Sequence, residues 1–230
     1  MNLQIATGDS REEATKNISA YNELAASLGK TTTEAAAAAN DWLRAGYKAS
    51  DATELIKQSL TLSTLGQIES AKATEYLIST LKGWKLQVED VGKVVDELTA
   101  LDLKYATSAG DIAQAMAKAN VSASLAGIDR QTYEAMLTTV MDVGQQGPDV
   151  VGTAFKTLFA RYGNVKAGKY SSDIMTSNDD TDEETAKLND VETILNKIGV
   201  STRDTVGDFR SMQDVLNEIA KNWKTYNQVT

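Results

Sequence analysis

Residues Glu54–Trp84 read ELIKQSLTLSTLGQIESAKATEYLISTLKGW, two apolar-striped runs on either side of Gly66. Counting from that glycine, positions +7, +11, +15 and +18 hold Ala73, Leu77, Leu81 and Trp84. Those offsets fall on one face of an α-helix, so the second arm can bury them as a single ridge. Around Gly144 the same offsets hold Val151, Phe155, Phe159 and Tyr162. Both units begin shortly after an Ala-Gly pair, Ala45-Gly46 and Ala126-Gly127. A helical hairpin that recurs sets the fold class: all-α, roughly ten antiparallel helices in a bundle or array.

Composition agrees. The single proline among 230 residues, Pro148, leaves long helical runs uninterrupted. The absence of cysteine removes disulfides, thiolate catalysis and cysteine-ligated zinc. The absence of histidine removes the commonest general base and metal ligand, and every imidazole-dependent triad. A net charge of −9 repels a phosphate backbone, which argues against sequence-specific nucleic-acid binding. No stretch approaches the roughly 20 apolar residues that span a bilayer, and MNLQIATGDSREE lacks the basic start and apolar run of a signal peptide.

Helix signals then recur along the chain. Ser10 with Glu13, Thr31 with Glu34, Ser108 with Asp111, and Ser211 with Asp214 each have the spacing of a helix start. Ser50 or Asp51 caps the helix that leads to Gly66, Asp129 caps the one bearing Tyr133 and Leu137, and Pro148 opens the next. Gly29, Gly46, Gly66, Gly127, Gly144 and Gly199 supply stops. The organisation expected is a helical core over 1–163 with two similar hairpins and a mobile polar and acidic loop over 164–182. A C-terminal helical pair follows over 183–230. The amphipathic run ending in WKTYNQVT without a cap suggests a fragment of a longer chain. Sheet is not expected, because no segment sustains period-two alternation.

Three signals invite chemistry and each has a plainer reading. Gly163–Tyr170, GNVKAGKY, nearly matches a phosphate-binding loop, but Tyr170 replaces the magnesium-binding hydroxyl residue and the stretch follows a helix instead of a strand. The acidic run Asp179, Asp180, Asp182, Glu183, Glu184 fails the calcium-loop pattern, which requires glycine at its sixth position and glutamate at its twelfth. Glu75 and Glu134 lie in apolar windows where an inward carboxylate would have a raised pKa and could act as a general acid. Nothing orients a partner carboxylate for either, and the edge of an apolar stripe is the plainer position. Trp42, Trp84 and Trp223 read as core or rim packing at the ends of apolar stripes. No catalytic, cofactor-binding or metal-ligating residue is assigned.

Five stretches, in order, carry a resemblance: TTTEAAAAANDWLRAGYKASDA, LTLSTLGQIESAKATEYLISTLKGW, VVDELTALDLKYATSAGDIAQAMAKA, VGTAFKTLFARYGNVKAGK and ILNKIGVSTRDTVGDFRSMQDVLNEIAKNW. Together they resemble the core region of tail tape measure proteins of tailed phages and prophages, from about Asn22 onward. The resemblance implies a structural role in tail-tube assembly and tail-length determination, without enzymatic activity or cofactor. It implies tail-tube, tail-tip or baseplate proteins and tail assembly chaperones as partners, and self-association. Its expected place is the virion tail, reached through the host cytoplasm during assembly. As one continuous helix the chain would reach about 345 Å at 1.5 Å per residue. Its repeated glycine stops instead point to a folded packet of about 17 Å radius of gyration. A helical flank of a tail-associated peptidoglycan hydrolase, and a bacterial helical adaptor or effector, are the competing readings.

Overall fold

The computed structural model describes residues 11–166, 195–206 and 208–226. Their order is α1 Arg11–Ser27, α2 Thr32–Arg44, α3 Ala52–Leu65, α4 Ser70–Trp84, α5 Val91–Asp102, α6 Ala109–Leu125, α7 Arg130–Gly144, α8 Pro148–Lys166 and α9 Met212–Tyr226. Short 3₁₀ turns at Ala49–Asp51 and Val88–Asp90 lead into α3 and α5. The fold is all-α; among the described residues the only β-pairing is an isolated antiparallel bridge between Arg203 and Phe209.

The helix starts follow local chemistry. Thr31 and Glu34 form a reciprocal capping box, the Thr31 side chain taking the Glu34 amide while the Glu34 carboxylate takes the Thr31 amide. The Asp111 amide donates to Ser108 Oγ at 3.0 Å, and the Asp214 amide to Ser211 Oγ at 3.1 Å. At α3 the expected side-chain cap is absent, for Asp51 makes no capping bond and Ser50 donates to the Asp51 carboxylate. The 3₁₀ turn before α3 already supplies backbone order there, because Asp51 itself sits in the right-handed helical region.

The stops divide into two kinds. Gly29, Gly46, Gly127 and Gly199 adopt positive φ, the left-handed conformation that closes a helix at little cost to glycine. At the two hairpin turns the glycine is not the left-handed residue. Gln67 and Gln145, each directly after Gly66 or Gly144, take φ of 52° and 50° instead. The Ile68 amide then reaches back to the Ser63 carbonyl at 3.1 Å, closing α3. Gly66 is needed for a different reason: a Cβ there would lie 2.7 Å from the backbone nitrogen of Gly110.

The chain separates into two compact units. The first comprises Met1–Val121 and Gln131–Ala154, the second Ser122–Arg130 and Phe155–Thr230. Within the first, α3 packs against α1, α2, α4 and α5. Tyr21 and Ala25 from α1, the alanines Ala35, Ala38 and Ala39 from α2, and Ile56 and Leu60 from α3 share one core cluster. The alanine run of α2 thus serves close helix approach, since side chains of one carbon leave room for a neighbouring backbone. Helix α6 receives a second set of close approaches: Gly83 sits where a Cβ would meet Asn120 Cβ at 2.6 Å, and Gly152 where it would meet the Ala115 carbonyl at 2.7 Å.

In the second unit the Met212 amide donates to the Ala126 carbonyl at 3.0 Å and the Asp129 amide to Gln213 Oε1 at 2.9 Å, tying the start of α9 to the 126–129 turn. Helix α8 continues past Gly163 to Lys166. The rest of the loop expected over 164–182, its acidic run and most of the helix expected from Glu183 lie outside the described residues; residues 195–197 are helical and Gly199 follows with φ 76°.

Candidate functional site

Each residue singled out for chemistry has a definite place. Glu75 is exposed on α4 and ion-paired with Lys72 at 2.9 Å. Glu134, in a similar window on α7, is buried, and its backbone carbonyl accepts from Thr138 Oγ1. The two carboxylates therefore experience opposite environments although their sequence windows look alike. Gly163–Lys166, the first half of the loop that mimics a phosphate cradle, is helical, so its amides belong to the helix ladder and not to an anion site. Residues 167–170 of that stretch and the acidic run lie outside the described residues. Among the described residues no group of three or more acidic side chains is placed to hold a metal ion, and no helix is long and apolar enough to cross a membrane.

The tryptophans separate by depth. Trp42 is fully buried, its indole N–H donating to Ser59 Oγ at 2.9 Å and its ring meeting Tyr47 edge-on at a centroid distance of 4.9 Å. Trp84 is half-buried, with its N–H on Asn120 Oδ1 at 2.9 Å. Trp223 is 55% exposed, whereas Val215 on the same helix is buried. An apolar stripe in sequence marks a face, but only tertiary packing decides how far along its length that face is covered.

Two polar networks hold the first unit together. Asn120, buried, accepts from the Trp84 indole and donates to Ser79 Oγ at 3.1 Å and Thr80 Oγ1 at 3.2 Å, joining α6 to α4. The other network joins the α1–α2 corner to the α3–α4 turn. Lys30 Nζ donates to Ser63 Oγ at 2.7 Å, Ser63 donates to the Ile68 carbonyl at 2.6 Å, and Ser70 donates to Glu34 Oε1 at 2.7 Å. Hydrogen bonds from the Thr31 amide, the Ser70 hydroxyl and the Thr31 hydroxyl hold the Glu34 carboxyl down at about 2. Burial pushes the Tyr133 phenol, which donates to the Ala115 carbonyl, well above its ordinary value. These groups are satisfied by one another, which is the chemistry of a scaffold.

Residues 201–206 and 208–210 of the second unit form the third feature. Asp204 Oδ1 accepts from the amides of Val206 and Asp208, both at 2.9 Å, and the Arg203 guanidinium stacks 3.9 Å from the Phe209 ring centre. Arg210 bonds the Ser201 carbonyl and pairs with Glu218 of α9. The Arg–Phe stack was not legible in sequence, because it depends on chain reversal.

Residues 20–230 match the family described as phage-related minor tail protein. The chain belongs to that family. It is accordingly a phage tail protein, with a structural role in the tail and other tail components as its setting. No solved structure matches the chain.

Proposed function

We propose that this phage tail protein is a structural module of a tail tape measure protein, taking part in tail-tube assembly and tail-length determination. The observation that carries the reading is where the five family-like stretches fall. They supply α2 with the turn after it, the end of α3 with α4, most of α5 and α6, most of α8, and most of α9. They are thus largely the packed helices themselves and not a cleft or a ligand loop. Residues repeated from the family pattern into packing positions serve a scaffold, and catalysis is no part of this reading.

The partners proposed are tail-tube subunits, tail-tip or baseplate proteins and assembly chaperones, with copies of the chain associating with one another. The site of action is the virion tail, after assembly in the host cytoplasm. The test is to delete internal segments of the protein and measure assembled tails by electron microscopy. Tails should shorten with deletion length. Tails of unchanged length, or tails that lack the protein, would overturn the proposal.

A further inference from the structure

The recurring hairpin is part of a shorter period. Helices α3, α5 and α7 start at Ala52, Val91 and Arg130, two steps of 39 residues. Helices α4, α6 and α8 start at Ser70, Ala109 and Pro148, again two steps of 39, and α2 at Thr32 precedes α4 by 38. The joints keep the same spacing. The 3₁₀ turns at Ala49–Asp51 and Val88–Asp90 lie 39 apart, as do the left-handed residues Gly46 and Lys85 before them. Gln67 and Gln145 lie 78 apart, two whole periods.

Burial repeats with the helix starts. The fourth residue of α4, α6 and α8 is Ala73, Ile112 and Val151, the eighth is Leu77, Met116 and Phe155, and all are buried. In α3, α5 and α7 the fourth is Leu55, Val94 and Tyr133, the eighth is Ser59, Leu98 and Leu137, and all are buried again. Residue identity changes between copies while depth does not, as a shared packing position requires.

Neighbouring copies are tied counterpart to counterpart. Ser70 on α4 donates to Glu34 on α2 at 2.7 Å, the Trp84 indole on α4 to Asn120 on α6 at 2.9 Å, and Gln114 on α6 to Asp149 on α8 at 3.0 Å. Gln131 on α7 donates to Glu97 on α5 at 3.0 Å, and α5 packs on α3. These bonds span 34–36 residues, close to one period.

We infer that the first unit is a linear array of helix pairs repeating every 39 residues, and that it opens pair by pair instead of in one step. A helix pair held by the pairs before and after it contributes its own stability and that of its two interfaces, so one stretch opens while the rest stays folded. Neither property depends on the tail-length role proposed above.

The repeat is tested by excision from the 230-residue chain. Removing Glu69–Thr107, one period of 39 residues, joins Ile68 to the Ser108 cap and leaves the remaining helices in register. Removing only Glu69–Gln87 takes out α4 and sets α3 directly before α5. The larger excision is expected to keep the ellipticity per residue and a sharp denaturant transition, and the smaller one to lose both. A tandem copy of Glu69–Thr107 inserted after Thr107 is expected to fold as well. Loss of structure in both the excised and the duplicated chain overturns the array, and so does equal tolerance of the smaller excision. Stepwise opening is read by hydrogen exchange in Ile56→Ala, which leaves a cavity in the core shared by α1, α2 and α3. The most protected amides of α1–α3 are expected to exchange at least tenfold faster, and those of α7 less than threefold faster. Loss of protection in α7 by the same factor as in α1–α3 overturns opening pair by pair.

Discussion

The α3–α4 and α7–α8 hairpins share a turn in which a glycine in a helical conformation precedes a left-handed glutamine, and in each the second helix begins four residues after that glycine. The ridges Ala73, Leu77, Leu81 and Val151, Phe155, Phe159 are buried in both. Each ridge ends in an aromatic residue with a polar handle: Trp84 donates to Asn120 at 2.9 Å, and Tyr162 donates to the Arg210 carbonyl at 2.7 Å. What differs is the surroundings of the glycine: Gly66 and Leu62 are buried in the first, whereas Gly144 and Val140 are exposed in the second. Local conformation is set by the turn residues themselves, whereas the tolerance of each position is set by what packs on it.

The largest expected contrast is at the two glycines. Gly66→Ala forces a Cβ to within 2.7 Å of the Gly110 backbone, where no side chain can move aside. The cost should be about 1–3 kcal/mol, the usual range for overpacking. Gly144→Ala meets only the flexible Gln146 side chain and replaces a helical glycine. It should be neutral or stabilise by up to about 1 kcal/mol. Denaturant melts of the two variants measure both, and equal losses would break the distinction between a covered and an open turn.

Next in size are the ends of the ridges. Asn120→Ala removes the acceptor of the Trp84 indole and the donor to Ser79 and Thr80, and should cost about 2 kcal/mol. Tyr162→Phe removes the bond to the Arg210 carbonyl and should cost about 1 kcal/mol. If Tyr162→Phe proved the costlier, the second ridge would depend on its polar end more than the first does.

At the turns themselves the hairpins should behave alike. Gln67→Gly and Gln145→Gly each relieve a left-handed non-glycine residue with φ near 50°. Part of that relief is offset by the freedom glycine adds to the unfolded chain, so each should stabilise by about 0.5–1 kcal/mol. Thermal melts that move in opposite directions would show that the turns are similar in shape only.

Much of this was legible from residue spacing. Thr31 with Glu34, Ser108 with Asp111, and Ser211 with Asp214 are short-range pairs, so their caps could be read directly, as could the stops at Gly29, Gly46, Gly127 and Gly199. The buried ridges followed from helical periodicity. What escaped depends on partners distant in sequence. The role of Gly66 is decided by Gly110, and the burial of Glu134 against the exposure of Glu75 by tertiary cover. The left-handed glutamines escaped because each follows a glycine that periodicity alone takes for the stop. No candidate site residue was assigned from sequence, and the polar groups that the structure brings together are spent on holding helices to one another.

The smallest effect is electrostatic and is confined to the first hairpin. Glu34 is held down to about 2 from an ordinary 4.5 by the Thr31 amide, the Ser70 hydroxyl and the Thr31 hydroxyl. A carboxyl depressed in the folded chain contributes stability that is complete above its unfolded value and is lost as pH falls through the folded one. The α1–α2 corner should therefore loosen from the α3–α4 turn as pH drops from about 4.5 towards 2. At the second turn Pro148 occupies the position of Ser70, four residues past the glycine, so no hydroxyl is available there for an equivalent latch. Hydrogen exchange across pH 2–5, a range about as wide as the Glu34 shift, should show amides near Ser70 losing protection earlier than those of α7. Glu34→Gln should remove that difference, because the amide keeps the shape of the carboxyl without its titration. If the difference survives in Glu34→Gln, another carboxylate controls the corner.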